Sequence, residues 1–248
     1  IGLALAEDLA AAVRAKLVLV GRTAFPPRPA WAQWLSSHPP ADAVGGKIRR
    51  LQSIEARGSG VMVVRADVGD ESQMRQLKSD VLARFGGIHG VIHGAGATAA
   101  SAFAYVARAD RGACERQFRP KIQGLRVLEQ TFGDQRLDFW LLLSSLSAVL
   151  GGLGFAAYAS ANSYMDAVAA ARNRRGAVPW ITVNWDGWDF RSAGAASRSE
   201  TAMTPQEGIE ALRRILGAAQ RHVIVAITDL QARIDQWTKL KSARAPHQ

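Results

Sequence analysis

Residues 139–162 read FWLLLSSLSAVLGGLGFAAYASAN. The apolar run Phe139 to Leu143 is too short for a helix and ends on Ser144-Ser145, as a buried strand does. Gly151, Gly152 and Gly154 then interrupt the chain, and an alanine-rich helix reads from Tyr158 to Arg174. A short apolar strand that feeds a helix is the opening of a βαβ unit.

The pattern recurs on both sides. Upstream, Leu17-Val18-Leu19-Val20 is closed by Gly21, and Val61-Met62-Val63-Val64 is followed by Asp67. Asp70 can cap the next helix, which runs to about Phe85. Ile88 to His93 is strand-like and ends at Gly94-Ala95-Gly96, and Gly112 to Phe132 reads as one helix carrying Lys121. Downstream come a strand at Ile181 to Val183, a helix over about 205–217 and a strand from Val223 to Ile227. The chain opens in a helix, Ile1 to Val13, and a further helix spans about 47–56. Residues 24–46 hold five of the nine prolines and read as an irregular excursion pinned by Trp31, Trp34 and Leu35. Residues 186–203 form a small-residue loop, and 228–248 an amphipathic, polar tail. There is no internal repeat. Strands alternating with helices imply an α/β fold, a Rossmann-like, doubly wound parallel sheet covered on both faces. Ligands in such sheets lie beyond the C-terminal strand ends.

Composition narrows the classes. With 248 residues, one large domain is the default and two the alternative. Hydrophobic residues at 48% and charged ones at 21% exclude bulk disorder. No apolar run is long enough to span a membrane, and no basic-then-apolar segment opens the chain. The lone Cys114 rules out an internal disulfide, fits a reducing compartment and removes cysteine-based metal sites, while the five histidines lack ligand spacing, so no metal is expected. A net charge of +10 permits an acidic partner, or is a solvated surface. The densest basic set is Arg108, Arg111, Arg116, Arg119, Lys121 and Arg126, without a nucleic-acid-binding motif, so neither nucleic acid nor membrane is an expected partner.

Four strand ends hold candidate chemistry. Arg22, at the end of a strand, suits a ribose 2′-phosphate or is an ordinary surface residue. Asp67 suits an adenine amine or a helix cap. Gly94-Ala95-Gly96 allows a cofactor close to the backbone. Ser145 lies thirteen residues before Tyr158, and Asn162 lies one helical turn beyond it. A positioned phenol acts as a general acid when a nearby cation favours the phenolate.

This last segment resembles the active site of the short-chain dehydrogenases/reductases, and more narrowly that of the ketoreductase domains of modular polyketide synthases. Most of that superfamily has a lysine four residues after the tyrosine, where this chain has Asn162. The polyketide ketoreductases take it from a Pro-Lys-x-x-Gly context, here Pro120-Lys121-Ile122-Gln123-Gly124, with Lys121 thirty-seven residues before Tyr158. Val20-Gly21-Arg22, Ala66-Asp67-Val68, His93-Gly94-Ala95-Gly96 and Asn184-Trp185-Asp186-Gly187-Trp188 extend the resemblance over essentially the whole chain.

The resemblance implies an NADPH-dependent β-ketoacyl reductase acting on a thioester held by an acyl carrier protein during polyketide chain extension, within a multifunctional, cytoplasmic enzyme. Tyr158 would give a proton to the carbonyl oxygen, Ser145 would bond the same atom, Lys121 would favour the phenolate and reach the nicotinamide ribose, and Asn162 would orient Lys121 or a water. Gly2, Arg22, Asp67, Val68, His93, Gly94, Ala95 and Gly96, with Lys121 and Tyr158, would hold the cofactor. Arg108, Arg111, Arg116 and Arg119 would help dock the acidic carrier, residues 186–203 would close as a lid, and 1–227 would be the catalytic domain, with 228–248 a linker toward the carrier. Only Ile1-Gly2 remains of the dinucleotide loop, so the first strand and most of the Gly-rich loop are expected upstream of Ile1. The Leu-Asp-Asp triplet expected near Ala102-Phe103-Ala104, and the tryptophan expected at Leu150, are absent, which leaves product configuration open. The competing readings are a stand-alone reductase of a small ketone and a catalytically silent scaffold domain.

Overall fold

The computed structural model describes residues 1–97, 103–190 and 202–238. It opens with α1 (Gly2–Val13), β1 (Leu17–Gly21), α2 (Trp31–Ser37), α3 (Ala43–Ala56), β2 (Val61–Arg65) and α4 (Glu71–Phe85). Then come β3 (Gly90–His93), α5 (Arg111–Phe118), a π-helical turn (Arg119–Gln123), α6 (Gly124–Phe132), β4 (Phe139–Ser145), α7 (Ser147–Leu150) and α8 (Ala156–Asn173). β5 (Trp180–Trp185), β6 (Gly187–Trp188), β7 (Ala202–Met203), α9 (Pro205–Gly217), β8 (His222–Val225) and α10 (Leu230–Thr238) follow. The chain divides into two compact units, Ile1–His89 with Gln123–Leu137, and Gly90–Ile122 with Asp138–Gln248.

In the first unit β1 and β2 pair in parallel, from Leu17 opposite Val61 to Gly21 opposite Arg65. α1 and α3 pack together, burying Ala6, Ala10, Ile48, Leu51 and Ile54 in one cluster with Leu17 and Val61. Asp70 caps α4 by accepting from Gln73 N at 3.1 Å, and Gly86, at φ 78°, ends it. In the second unit β3, β4, β5 and β8 form a parallel sheet in that order. All six residues of β5 and the middle five of β4 are buried, polar Ser144, Thr182 and Asn184 among them, as in a strand covered on both faces. α8 lies against both strands. The fold is α/β and Rossmann-like.

Two stretches depart from the sequence reading. Residues 24–46 are more regular than their prolines suggest. Trp31 and Trp34 carry α2, and α3 begins at Ala43, through Gly45-Gly46, because Asp42 accepts from Gly45 N at 2.6 Å and from Trp34 Nε1 at 2.8 Å. A side-chain cap outweighs the glycine pair. The helix read over 112–132 is interrupted by the π-turn, where Pro120 has no N–H to give and its ring would strike the carbonyl four residues back. The ends of the stretch read as a lid pair as β6 and β7, and its residues 191–201 lie outside the described residues.

The tail read as a linker contains α10, which packs on α7. Arg233 Nη1 donates to Asp186 Oδ2 at 2.6 Å, and Ile227 N donates to the same oxygen at 3.2 Å. Residues 239–248 lie outside the described residues.

Candidate active site

β4 and α8 deliver the central pair. Ser145 is the last residue of β4, and Tyr158 sits in the first turn of α8. The turn between them depends on Gly151, Gly152 and Gly154, at φ 69°, 142° and 80°, a backbone region that side chains disfavour. Ser145 Oγ accepts from Ser147 N at 3.2 Å and from Ser147 Oγ at 3.0 Å. With its lone pairs so used, the Ser145 proton is available to an outside acceptor. Ser147, whose role no spacing announced, thus fixes the direction of that hydroxyl.

The π-turn delivers Lys121. Its ammonium is 3% exposed as a residue, lies 5.7 Å from the centroid of the Tyr158 ring and donates to Leu143 O at 3.3 Å. Burial disfavours the charged form and pulls this lysine down to about 8, partly offset by the field of Asp166. Asn162 donates from Nδ2 to Tyr158 O at 2.8 Å, one turn back on α8. Phe103 and Phe155 flank Tyr158, with ring centroids 5.5 and 6.1 Å away. Lys121, Ser145, Tyr158 and Asn162 therefore lie in one unit, which sets a phenol ring beside a buried lysine and holds the Ser145 hydroxyl in a fixed direction.

The loop after β3 lies in the same unit. His93 is buried, bonds to the backbone of Pro120 and Lys121, and is pushed down to about 3 by burial and by Lys121, so it is neutral. Its side chain holds the π-turn rather than facing solvent. A Cβ on Gly94 would come 2.8 Å from Leu143 Cδ1, and one on Gly96 3.3 Å from Lys121 Cε. Gln117 Nε2 donates to Ala97 O at 3.1 Å and ties this loop to α5. Ala95 is half-buried between the two exposed glycines.

The other cofactor candidates belong to the first unit. Gly2 begins α1, and a Cβ there would meet nothing within 4 Å. Arg22 is exposed just beyond β1, and its carbonyl accepts from Arg65 Nε at 3.2 Å. Arg65 is a second cation at these strand ends that the sequence reading did not single out. Asp67 Oδ1 accepts from Gly69 N at 2.8 Å and Val68 is half-buried beside it, while the helix cap falls to Asp70. Arg108, Arg111 and Arg116 are exposed at and just before α5. Among the described residues no cluster of His, Cys, Asp and Glu could hold a metal, and no helix is long and apolar enough to cross a membrane.

The KR domain family matches residues 1–189. The chain belongs to that family, the ketoreductase domains of polyketide synthases. A 6-methylsalicylic acid synthase from Aspergillus terreus (strain NIH 2624 / FGSC A1156) is 32% identical over 225 residues, 87% of this chain and 12% of that protein. Polyketide synthase PksN of Bacillus subtilis (strain 168) is 31% identical over 216 residues, 81% of this chain and 4% of that protein. This ketoreductase domain thus spans a small part of the curated relatives it matches. A solved structure of A-type ketoreductases from a modular polyketide synthase shares 26% identity at a TM-score of 0.77, over 96% of this chain and 47% of that one. Ketoreductase membership makes the domain one of the oxidoreductases of the short-chain dehydrogenase/reductase type.

Proposed function

We propose that this ketoreductase domain reduces the β-carbonyl of a β-ketoacyl thioester, presented by an acyl carrier protein, to the β-hydroxyacyl thioester, with NADPH as reductant. The observation that carries the reading is the buried Lys121 ammonium over the Tyr158 ring, in the unit that also directs the Ser145 hydroxyl. A silent scaffold has no use for a desolvated cation held beside a phenol, because burying it costs stability.

The residues fit a nicotinamide dinucleotide. Gly94 and Gly96 leave the backbone after β3 open to a ligand, and a Cβ at either would crowd Leu143 or the Lys121 side chain. Arg22, with Arg65 beside it, offers exposed positive charge for a 2′-phosphate. Gly2 at the start of α1, Asp67, Val68 and the backbone of His93 to Gly96 would hold the remainder, with Lys121 on the nicotinamide ribose. When bound, NADPH supplies hydride to the carbonyl carbon.

The chain's own groups manage the charge that develops on the carbonyl oxygen. Tyr158 donates its phenolic proton to that oxygen, completing the alcohol. Ser145 donates a hydrogen bond to the same oxygen. Lys121 favours the phenolate left behind, and Asn162 fixes the first turn of α8. The exposed arginines 108, 111, 116 and 119 support docking of an acidic carrier.

The test compares NADPH consumption with a β-ketoacyl chain on its carrier and with a small free ketone. Faster turnover of the carrier-bound chain is expected. Equal turnover of both would favour a stand-alone reductase, and no consumption with either would favour the silent scaffold.

A further inference from the structure

Apart from Lys121, Ser145, Tyr158 and Asn162, the same unit holds a buried polar node. Asn184 of β5 is fully buried. Its Nδ2 donates to Asp166 Oδ2 at 2.8 Å, to Ser144 Oγ at 3.1 Å and to Ser145 O at 3.1 Å. One amide group therefore ties the end of β4, which bears Ser145, to α8, which bears Tyr158. Its Oδ1 accepts from His222 Nε2 at 2.5 Å, and this half-exposed imidazole of β8 lies 4.0 Å from Asp166.

Asp166 occupies a telling position. Tyr158, Asn162 and Asp166 are spaced i, i+4 and i+8 on α8 and form one stripe. The Asp166 side chain is 13% exposed, and its Oδ1 is buried without a partner among the described residues, as is Asn162 Oδ1. A buried carboxylate with one oxygen unbonded is costly unless a positive charge answers it. His93 of β3 bonds to the Lys121 backbone, the Tyr158 ring of α8 lies 5.7 Å from the ammonium, and that ammonium donates to Leu143 O, two residues along β4 from the Ser145 carbonyl that shares the Asn184 amide with Asp166. Of these groups only Asp166 is an acid, and the His222 imidazole lies 4.0 Å from its Oδ2.

We propose that Asp166 and Asn184 are positioning residues of the reduction: Asn184 locks the Ser145 strand end to α8, and Asp166 is the counter-charge that keeps Lys121 protonated. The proposal rests on the reductase reading only for its kinetic consequence. The direction in which Asp166 biases the lysine agrees with it, since the carboxylate raises what burial lowers.

The test is an NMR titration of 13Cε-labelled lysine in the purified protein without cofactor or substrate. K121M identifies the lysine that titrates near 8. D166N should lower its midpoint by about one unit, because the opposing charge is gone. D166E should restore most of it. N184A, which keeps the carboxylate and removes the amide that fixes it, should move the midpoint the same way by less, and it stands as the test if D166N does not fold. In turnover, the loss of rate at alkaline pH should move toward neutrality by the same interval, about a five-fold loss near pH 8 in D166N. A merely structural role would lower the rate at every pH without moving the limb. A Lys121 midpoint unchanged in the folded variants would overturn the proposal. An inactive wild type that still shows the shift would break the functional reading and leave this one standing.

Discussion

The β4–β5 pair and the β1–β2 pair are both parallel ladders of apolar residues, yet they are buried to very different degrees. β4 and β5 are buried almost end to end, and the groups near their C-terminal ends are desolvated: Lys121, Asn162 and Asn184 are all at or below 3% exposure. In β1 and β2 exposed residues intrude, Val20 at 42% and Val63 at 38%, and the charged residues at their ends, Arg22 and Arg65, face water. Groups that must move a proton need a low dielectric to act strongly on one another. Groups that only recognise a phosphate need charge and reach, and water can screen them without abolishing the preference.

The contrast is most severely tested at Tyr158. Tyr158→Phe should fold normally and lose 10²- to 10⁴-fold in turnover, the usual contribution of a positioned general acid. Turnover within a few-fold of wild type would mean that the buried region does not perform the proton transfer. In the exposed region the effect should be smaller and selective. Arg22→Ala should weaken NADPH binding roughly 10- to 150-fold, equivalent to about 1.5–3 kcal/mol, and leave NADH binding unchanged. The difference should shrink as salt is added. Equal losses for both cofactors would remove Arg22 from the 2′-phosphate. The smallest effect concerns acid stability. His93 is neutral in the fold, so nothing is lost above its ordinary value near 6.5. Below that, the unfolded chain takes up a proton that the folded one refuses, and stability falls by about 1.4 kcal/mol per pH unit down toward 3. Between about pH 7 and pH 5 this amounts to roughly 2 kcal/mol. Urea midpoints at those two pH values should converge more in His93→Gln than in wild type; parallel behaviour would place the imidazole outside the desolvated region.

Much of this was legible in the sequence, for physical reasons that differ by element. Strands β1 to β5 announced themselves as short, largely apolar runs bounded by turn residues, and β4 and β5 read so because a strand covered on both faces cannot alternate. Ser145, Tyr158 and Asn162 could be read because one turn and one helix fix their separation. The node of Asp166, Asn184 and His222 could not, because it joins α8, β5 and β8 across long stretches of chain and leaves no spacing behind. Arg65 was obscured in the same way, since its neighbour Arg22 follows another strand, β1. The π-turn was half visible. Pro120 stood in the middle of a helical pattern, and a proline there must widen or break the helix. What the sequence did not convey is that the deformation carries the lysine and is held by His93.

The ion pair between Arg233 and Asp186 bears on where such a domain can be cut. Asp186 follows β5 and is nearly buried, and its carboxylate takes both the Ile227 amide and the Arg233 guanidinium. A truncation at residue 227 would leave that anion without its cation, a change that typically costs about 3–5 kcal/mol. That is a large part of the roughly 5–15 kcal/mol by which a domain holds together. Grafting experiments that exchange ketoreductases between assembly lines should therefore place the junction beyond Thr238, so that α10 travels with the sheet it pins.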